Sequence, residues 1–200
     1  EYLRTKFTSI KIMKFGIIKE RKTLPDRRVV FSPKKLQEFK NKFSEASIKV
    51  ESSPIRVFSD ESYEKAGLEV VSDVTDCDVL IGVKEVPISA LVPNKKYFFF
   101  SHTYKQQEYN RALLKAILNK NIQLIDWEVI TDKNGKRLIA FGKYAGIVGC
   151  YNGLLGYGLK HNLFKLNRAK DCDDRADMEA QLSKVKLPNN FKLVLTGRGR

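Results

Sequence analysis

The sequence has few cysteines, no long hydrophobic run and no recognisable secretion signal. Its cysteines are widely spaced and form no CxxC pair with histidines at metal-ligand spacing: Cys77, Cys150 and Cys172. This pattern supports neither a disulfide framework nor a zinc site, and it favours reduced thiols in the cytoplasm. No apolar run approaches the roughly 18 residues of a membrane-spanning helix, and residues 1–12 lack the apolar segment of a signal peptide. We therefore predict a cytoplasmic protein with no metal and no membrane partner, in which residues 1–12 are an N-terminal extension.

Acidic residues are scarce relative to basic ones. The chain has 37 Lys and Arg against 23 Asp and Glu, which gives a net charge of +14 at pH 7. Such an excess can attract nucleic acid, because basic side chains neutralise phosphates. The basic residues are scattered, however, and no stretch interleaves them with aromatic residues in a nucleic-acid-binding pattern. The charge pattern argues against nucleic acid as a partner, and anionic small molecules or a dinucleotide account for some of the excess equally well.

Apolar and aromatic residues are plentiful enough to build a core in this 200-residue chain. Hydrophobic residues make up 42% of it, including twelve Phe and eight Tyr. Apolar runs alternate with helical patterns, which predicts an α/β fold with a largely parallel sheet flanked by helices. The predicted strands are residues 12–18, 47–50, 68–71, 78–83, 97–101 and 122–125. The predicted helices are residues 34–43 after the N-cap Ser32, 60–66 capped by Asp60, and 106–120 with Leu113, Leu114, Ile117 and Leu118 facing inward.

The second part of the chain follows a different pattern. Asn134-Gly135 predicts a hairpin turn between residues 129–131 and 137–140. Residues 144–159 are rich in glycine, which suits a helix that packs tightly against another backbone, and polar residues 162–175 predict a linker or exposed loop. A helix at 177–186 and a buried strand at 191–195 follow. We predict a substrate or catalytic domain over 13–140 and a connector over 141–190.

The last ten residues suggest the start of a second domain. A strand followed by Gly197-x-Gly199 is how the dinucleotide-binding turn of a Rossmann domain begins. The first glycine permits a tight turn, and the second lets the backbone approach a pyrophosphate. A simple turn is the alternative, because this short motif is common. We therefore predict that residues 191–200 begin a truncated dinucleotide-binding domain with Gly197 and Gly199 as cofactor-binding residues.

Chemically useful side chains follow several of the predicted strands. Arg28 lies in the segment after the first strand, where an arginine can bind a carboxylate with two hydrogen bonds. Lys84 and Glu85 end the DVLIGV strand, where a partly buried lysine can become a general base. His102 follows the YFFF strand and suits proton transfer near neutral pH. For each of these residues an ordinary exposed strand end or loop is the alternative.

The ends of these strands are expected to lie together. In open α/β sheets ligands bind beyond the carboxyl ends of the strands, so the clusters around Arg28, Lys84 and His102 are predicted to converge. Glu128, in the segment Asp126-Trp127-Glu128, adds a carboxylate after the sixth strand. His161 lies in a polar stretch and is expected to be a surface residue.

Several of these segments, in this order, resemble the lysine-forming saccharopine dehydrogenases and the lysine–ketoglutarate reductase domain of bifunctional lysine-degrading enzymes. The resemblance covers nearly the whole chain from Lys14. It is densest at KERKTLPDRRVVFSP (19–33), LIGVKEVP (80–87), YFFFSHTYKQQ (97–107), LIDWEVITDKNGKRLIAFGKYAGIVG (124–149) and KLVLTGRG (192–199). The layout is more distantly similar to alanine dehydrogenase and nicotinamide nucleotide transhydrogenase, which lack a counterpart to SHTYKQQ.

The resemblance implies roles for the clustered residues. The family's matching lysine and histidine are acid–base groups, which would make Lys84 and His102 the catalytic pair, and its matching arginine would make Arg28 the anchor for a substrate carboxylate. It implies substrate-binding or charge-tuning roles for four further residues: Asp26, Glu85, Lys105 and Glu128. The sequence departs from the family at Asp26, where the family often has a glutamate; a carboxylate is kept, but on a shorter side chain.

The resemblance also implies a reaction. It is the reversible reductive condensation of lysine with 2-oxoglutarate to give saccharopine, with NAD or NADP as the cofactor. The alternatives are an alanine-dehydrogenase-like amino-acid dehydrogenase and a substrate-binding module without catalysis. The resemblance further implies that the chain is the N-terminal part of such an enzyme and is inactive by itself, because it stops within the predicted nucleotide-binding turn.

Overall fold

The computed structural model describes residues 12–21 and 25–197. The predicted cofactor residue Gly199 and residues 1–11 of the predicted N-terminal extension lie outside these ranges. The chain divides into two compact units, Glu1–Ile139 and Ala140–Arg200. None of the helices in the described ranges has the length and apolar character needed to cross a bilayer.

The first unit is built on a six-stranded sheet whose strands are all parallel. In chain order the strands are β1 (Lys14–Ile17), β2 (Ser47–Glu51), β3 (Glu69–Val71), β4 (Val79–Ile81), β5 (Lys96–Phe99) and β6 (Gln123–Asp126). Their spatial order is β3-β2-β1-β4-β5-β6. The predicted α/β class and parallel sheet are confirmed for this unit. The order reverses between β1 and β4, and in such sheets a crevice opens at this point beyond the carboxyl ends of the strands.

Three helices of the first unit follow the predicted order with shifted ends. They are α1 (Pro33–Lys42), α2 (Asp60–Lys65) and α3 (Arg111–Asn119). The hydroxyl of Ser32 accepts a hydrogen bond from the Lys35 amide, as expected of an N-cap. The cap of α2 is Ser59 rather than Asp60. Asp60 cannot serve as the cap because its carboxylate accepts hydrogen bonds from the Ser52 hydroxyl and the Ser53 amide.

The buried face of α3 is narrower than predicted. Leu113 and Ile117 are buried, whereas Leu114 and Leu118 are 40% and 69% exposed, so their inward placement was wrong. The predicted helix was also too long, because Gln106 has a left-handed backbone with φ of 53° and residues Glu108–Asn110 form a 3-10 turn. A short helix that lies on a sheet buries only one stripe of side chains, and Leu114 and Leu118 flank that stripe.

Two hydrophobic clusters cover the two faces of the sheet. Leu80 and Ile81 are consecutive residues of β4 and belong to different clusters, because successive side chains of a strand point to opposite faces. One cluster joins Leu80 to Tyr97 and Phe99 of β5 and to the buried stripe of α3. The other packs α1 and α2 against β1 and β2 through Ile17, Leu36, Ile48, Val50 and Tyr63. Both faces of the parallel sheet are therefore covered by helices, as the near-continuous apolar strands predict.

The predicted hairpin after β6 is reduced to a single bridge. Thr131 and Arg137 form an isolated antiparallel pair, and Gly135 has the positive φ of 75° expected in the turn. Residues Trp127–Val129, which include the start of the predicted first arm, form a 3-10 turn instead. The turn position was therefore predicted, but the extended strands on either side of it were not formed.

The second unit is built around one long helix, α4 (Gly142–His161). The helix predicted over the glycine-rich segment is confirmed, and it ends at Asn162 in the left-handed conformation that terminates many helices. Residues 163–174 return along α4, where Leu166 is buried with Tyr151 and Met178. The Tyr151 hydroxyl donates to the Asn167 carbonyl at 2.7 Å. The prediction of an exposed linker over 162–175 was therefore wrong at Leu166, whereas Leu163 is 40% exposed as predicted.

The end of the second unit also differs from the prediction. A short helix α5 (Arg175–Ala180) continues as a 3-10 turn (Gln181–Lys184) in place of one helix over 177–186. Residues 191–196 have no regular structure, so the predicted buried strand over 191–195 is not formed. Leu193, Val194 and Leu195 are 56%, 80% and 78% exposed. A strand needs a neighbour for its backbone hydrogen bonds, and no strand in the described ranges lies beside this segment.

Candidate active site

The carboxyl ends of the central strands carry most of the predicted site residues. Lys84 and Glu85 follow β4, His102 follows β5 and Glu128 follows β6. Parallel pairing of β4 with β5 and of β5 with β6 brings these three ends to one edge of the sheet. The segment after β1, which leads to Asp26 and Arg28, reaches the same edge because β1 pairs with β4.

His102 lies between an amine and a carboxylate. Its Nε2 is 3.4 Å from Nζ of Lys84, and its Nδ1 is 2.5 Å from Oε1 of Glu85. Lys84 and Glu85 are adjacent in the sequence, so a single turn after β4 supplies both partners of the imidazole. A histidine in this position can exchange a proton with the lysine while the glutamate balances its positive charge. The structure therefore brings together the lysine and histidine singled out in the sequence.

The backbone of His102 is held in an unusual conformation. Its φ is 53°, in the left-handed backbone region that residues other than glycine rarely adopt. The preceding residue, Ser101, is fully buried and donates hydrogen bonds from its amide and hydroxyl to Asp126. The side chain of Asn110 in turn donates to the Ser101 carbonyl at 2.8 Å. Such strain costs on the order of 1–3 kcal/mol and persists only where neighbouring contacts impose it, as they do at many functional sites.

Asp26 and Arg28 form an ion pair with two side-chain contacts. The Nε of Arg28 donates to Oδ1 of Asp26 at 2.8 Å, and Nη2 donates to the other carboxylate oxygen. These hydrogen bonds lower the pKa of Asp26 and raise that of Arg28. The charges of Glu20 and Glu85 also raise the pKa of Arg28, and the charge of Lys84 contributes to lowering the pKa of Asp26. The pair therefore lies within the electrostatic reach of the turn after β4.

Glu128 makes a separate group of contacts. Its carboxylate is mostly buried and lies 3.5 Å from Nζ of Lys105 and 3.6 Å from Nη1 of Arg137. The neighbouring Trp127 donates its indole N–H to the carbonyl of Gly82 at 2.8 Å, which ties this segment to the turn that carries Lys84. The structure thus pairs the predicted residues Lys105 and Glu128 with each other. The sequence analysis missed Arg137 and Trp127, although both lie within the motif that carries the resemblance.

Glu20 is a further site residue that the sequence analysis missed. Its carboxylate accepts hydrogen bonds from the amides of Val83 and Lys84 at 2.7 and 2.9 Å. Burial raises the pKa of Glu20, although these two hydrogen bonds act in the opposite direction. The only sequence signal for it was a carboxylate three residues beyond the first strand, where ligand-binding residues of such sheets lie.

The first unit has the strand order of a dinucleotide-binding domain, but its sequence between β1 and α1 has no glycine-rich turn. The segment after β1 reads Ile18-Lys19-Glu20-Arg21 without a glycine, and residues 18–32 separate β1 from α1. A pyrophosphate needs a glycine-rich turn that leads directly into a helix N-terminus. The carboxylates of Glu20 and Glu51 lie in this region, and Glu51 pairs with Lys19 and Arg21. The described residues after β1 therefore do not form a dinucleotide-binding turn.

The described residues do not form a dinucleotide site in the second unit either. Gly197 has a positive φ of 95°, as a tight turn requires. Residues 191–196 before it have no regular structure, and Gly199 lies outside the described ranges.

Comparisons with known proteins identify the family of the chain. The family model described as "Alanine dehydrogenase/PNT, N-terminal domain" matches residues 16–148. The alpha-aminoadipic semialdehyde synthase of Arabidopsis thaliana is 37% identical over 147 residues, which cover 72% of this chain and 14% of that protein. The saccharopine dehydrogenase (NAD⁺, L-lysine-forming) of Candida glabrata is 34% identical over 119 residues, or 56% of this chain and 32% of that protein.

A solved structure supports the fold. An L-alanine dehydrogenase superposes on 74% of this chain and 40% of its own with a TM-score of 0.54, at 18% sequence identity. The chain spans less than a third of the length of the Arabidopsis thaliana and Candida glabrata relatives.

Proposed function

Because the chain belongs to the alanine dehydrogenase/PNT N-terminal domain family, we propose that it is the substrate-binding and proton-transferring part of an NAD(P)-dependent saccharopine dehydrogenase. The reaction is the interconversion of saccharopine with lysine and 2-oxoglutarate. The contact between Lys84 and His102 carries this proposal, because it supplies an acid–base pair at the edge of the sheet where ligands bind. The relatives named for saccharopine and aminoadipic semialdehyde chemistry support the choice of substrate.

The proposed reaction requires several proton transfers. The lysine ε-amine must be neutral to attack the keto group of 2-oxoglutarate, and the resulting hydroxyl must be protonated before it leaves as water. Lys84 and His102, with Glu85 on the far nitrogen of the imidazole, form a path along which these protons can move. The described residues supply this proton transfer, and the redox step belongs to a cofactor site outside them.

The charged side chains around the pair suit an anionic substrate. Saccharopine carries three carboxylates, and each must meet a cation or a set of hydrogen-bond donors in the cleft. Arg28 is held in a fixed orientation by Asp26, which prepares it to bind a carboxylate at a lower entropic cost. Lys105 and Glu128 are proposed to shape the charge on the opposite side of the site, beyond β6.

The experiment that tests the proposal is an activity assay on the full-length protein. NADH or NADPH should be oxidised when lysine and 2-oxoglutarate are supplied together, because the imine forms only when both are present. Pyruvate with ammonia should give no activity. Activity with that second pair would indicate an alanine-dehydrogenase-like enzyme, and no activity with either pair would indicate a substrate-binding module.

Replacing the proposed acid–base residue tests the role of the site. Lys84→Met removes the titrating amine at similar side-chain length, and the rate should fall by about 100- to 10,000-fold. Lys65→Met is the matched control, since this lysine lies on the exposed surface of α2 and pairs only with its neighbour Glu61 on the same helix among the ion pairs described. Near-normal turnover of Lys84→Met would rule out its acid–base role.

Arg28→Ala should raise KM more than it lowers kcat, because a carboxylate anchor acts in ground and transition states alike.

A further inference from the structure

Glu20 joins the two strands at which the order of the sheet reverses. It lies three residues beyond β1, and its carboxylate reaches across to the segment after β4. Its two oxygens accept the amides of consecutive residues, Val83 at 2.7 Å and Lys84 at 2.9 Å. A carboxylate that accepts from two adjacent amides fixes the peptide plane between them, and therefore the direction in which the Lys84 side chain leaves the backbone.

The backbone pairing of the two strands ends where Glu20 acts. The last backbone hydrogen bond from the β1 side runs from the Ile18 amide to the Ile81 carbonyl at 3.0 Å. On the β5 side, the Phe100 amide still donates to the Val83 carbonyl at 3.0 Å. Beyond Ile18 the chain after β1 makes no further backbone hydrogen bond to the β4 segment among the described residues. The Glu20 carboxylate accepts the amides of Val83 and Lys84 instead.

The turn after β4 is contacted from both sides. A Cβ atom added to Gly82 would lie 2.8 Å from Cδ1 and 2.9 Å from Cγ1 of Ile18, so a larger residue here would require the Ile18 side chain to move. From the other side, the indole N–H of Trp127 donates to the carbonyl of Gly82. The turn that ends in Lys84 is thus held by β1 through Glu20 and by the segment after β6 through Trp127.

We propose that Glu20 is a positioning residue, which orients the turn after β4 so that the Lys84 amine faces the His102 imidazole. It acts through the backbone of Val83 and Lys84 and does not itself exchange a proton with substrate. Its charge also acts on Arg28, whose pKa it helps to raise, so one carboxylate serves both the proposed proton-transfer pair and the proposed carboxylate anchor. The consequence for catalysis rests on the proposed function, whereas the effect on the geometry does not.

The first test is nuclear magnetic resonance of the full chain with Glu20→Gln. An amide side chain has one oxygen and turns its NH₂ group toward one of the two backbone amides, so one hydrogen bond is lost. We expect the amide resonances of Val83 and Lys84 to shift and one of them to exchange with solvent at least about tenfold faster. The ring-nitrogen resonance of His102 should also move at constant pH, because Lys84 Nζ no longer stays at Nε2.

The chain provides its own controls for this measurement. His102 and His161 are its only histidines, and His161 lies in α4 against the ring of Tyr157, so its resonance should stay unchanged. Glu38→Gln removes the same charge from an exposed ion pair with Lys35 and should leave the Val83, Lys84 and His102 signals unaltered. Unchanged signals of these three residues in Glu20→Gln would overturn the proposal.

A second measurement uses the unmodified chain, so its result does not depend on whether the Glu20→Gln variant folds. When pH is lowered from 7 to 3, the amides of Val83 and Lys84 should shift together as their shared acceptor is protonated. The midpoint should lie above the ordinary pKa of glutamate, because burial raises the pKa of Glu20. The charged groups that act on this carboxyl are Asp26 and Arg28, so the same titration in Asp26→Asn should have a lower midpoint. Amides that do not respond together would overturn the proposal.

The last test separates this proposal from the proposed function. In a full-length protein with saccharopine activity, Glu20→Gln should lower kcat by about 10- to 100-fold with little change in KM, because misplacement of the acid–base pair affects the transition state. An unchanged kcat would overturn the catalytic consequence. If the unmodified protein has no such activity, the proposed function fails, and the two resonance measurements still decide whether Glu20 positions Lys84.

Discussion

At the scale of single residues, the candidate site depends on contacts between near neighbours in sequence and between residues far apart. Lys84 and Glu85 are adjacent, and a single turn places one on each nitrogen of His102. Arg28 and Asp26 are two residues apart and pair directly. Glu20 is different, since it contacts residues 63 and 64 positions later in the chain. Its role therefore becomes visible only when the strand order is known.

The cysteines allow a prediction about single-residue environments. Cys77 is fully buried, and burial raises the pKa of its thiol to about 11. Only the thiolate reacts rapidly with alkylating reagents, so the folded protein should protect Cys77 at pH 8. The exposed Cys150 should be modified first. Mass spectrometry after brief iodoacetamide treatment measures both sites, and denaturant should make Cys77 as reactive as Cys150. Equal labelling of the two in the folded protein would contradict the burial of Cys77.

At the scale of elements, the glycines of α4 have two different roles. A Cβ atom on Gly158 would lie 2.6 Å from the carbonyl oxygen and the ring of Phe164, so this glycine allows the following segment to pack against the helix. Gly149 has nothing within 4 Å of the same position. The glycine content of α4 therefore reflects a packing requirement at one end of the helix, and at Gly149 it lowers helix stability without such a requirement.

These two positions give a matched pair of substitutions. Gly158→Ala should lower the free energy of unfolding by about 1–3 kcal/mol, because the backbone of Phe164 cannot move aside without loss of packing. Gly149→Ala should raise it by about 0.5–1 kcal/mol, since alanine is the better helix former and meets open space. Urea unfolding monitored by circular dichroism measures both values. A neutral Gly158→Ala would show that residues 163–166 are not packed as described.

At the scale of the whole molecule, positive charge and ionised carboxylates set the response to pH. The chain carries a net charge of +14 at pH 7, which grows as carboxylates are protonated. Hydrogen bonds lower the pKa of Asp26 (from Arg28), of Asp73 (from Thr75) and of Asp76 (from Lys49 and Lys14). Carboxyls of this kind stabilise the folded state above their unfolded pKa of about 3.9, and the contribution is lost as pH falls through their folded values. The ionisation of Glu20 contributes to stability in the opposite direction, because its raised pKa makes the charged form unfavourable in the folded state.

Acid should therefore destabilise the protein. Among these four carboxyls, three have a lowered pKa and one has a raised pKa. The growing net positive charge also repels itself at low pH, which destabilises the fold further. We expect the Tm to fall steeply below about pH 4, and 0.3 M salt, as a rough working concentration, should restore part of it at pH 4 by screening repulsion. Thermal melts between pH 7 and pH 3 test this expectation. A Tm at pH 3 as high as at pH 7 would show that these ionised carboxylates do not stabilise the fold.

The sequence by itself determined the six strands of the sheet and the cap of α1, and it singled out several residues that the structure brings to one edge of the sheet. Apolar runs mark buried strands because burial is a local property of each segment, and turn residues mark where those strands end. Lys84, His102 and Arg28 could be identified for this reason: each stands directly after an apolar run or before a capped helix. The helix over the glycine-rich segment was also predicted, because its residues keep a helical pattern despite their low propensity.

Only the tertiary structure decided which segments contact one another. The reversal of strand order between β1 and β4 brings Glu20 to the Lys84 turn, and no local pattern encodes that order. The apolar segment 191–195 is the converse case, since it has the composition of a strand but has no described strand beside it to accept its hydrogen bonds. Local sequence reports what a segment can bury, whereas pairing depends on which other segments the fold places within hydrogen-bonding distance.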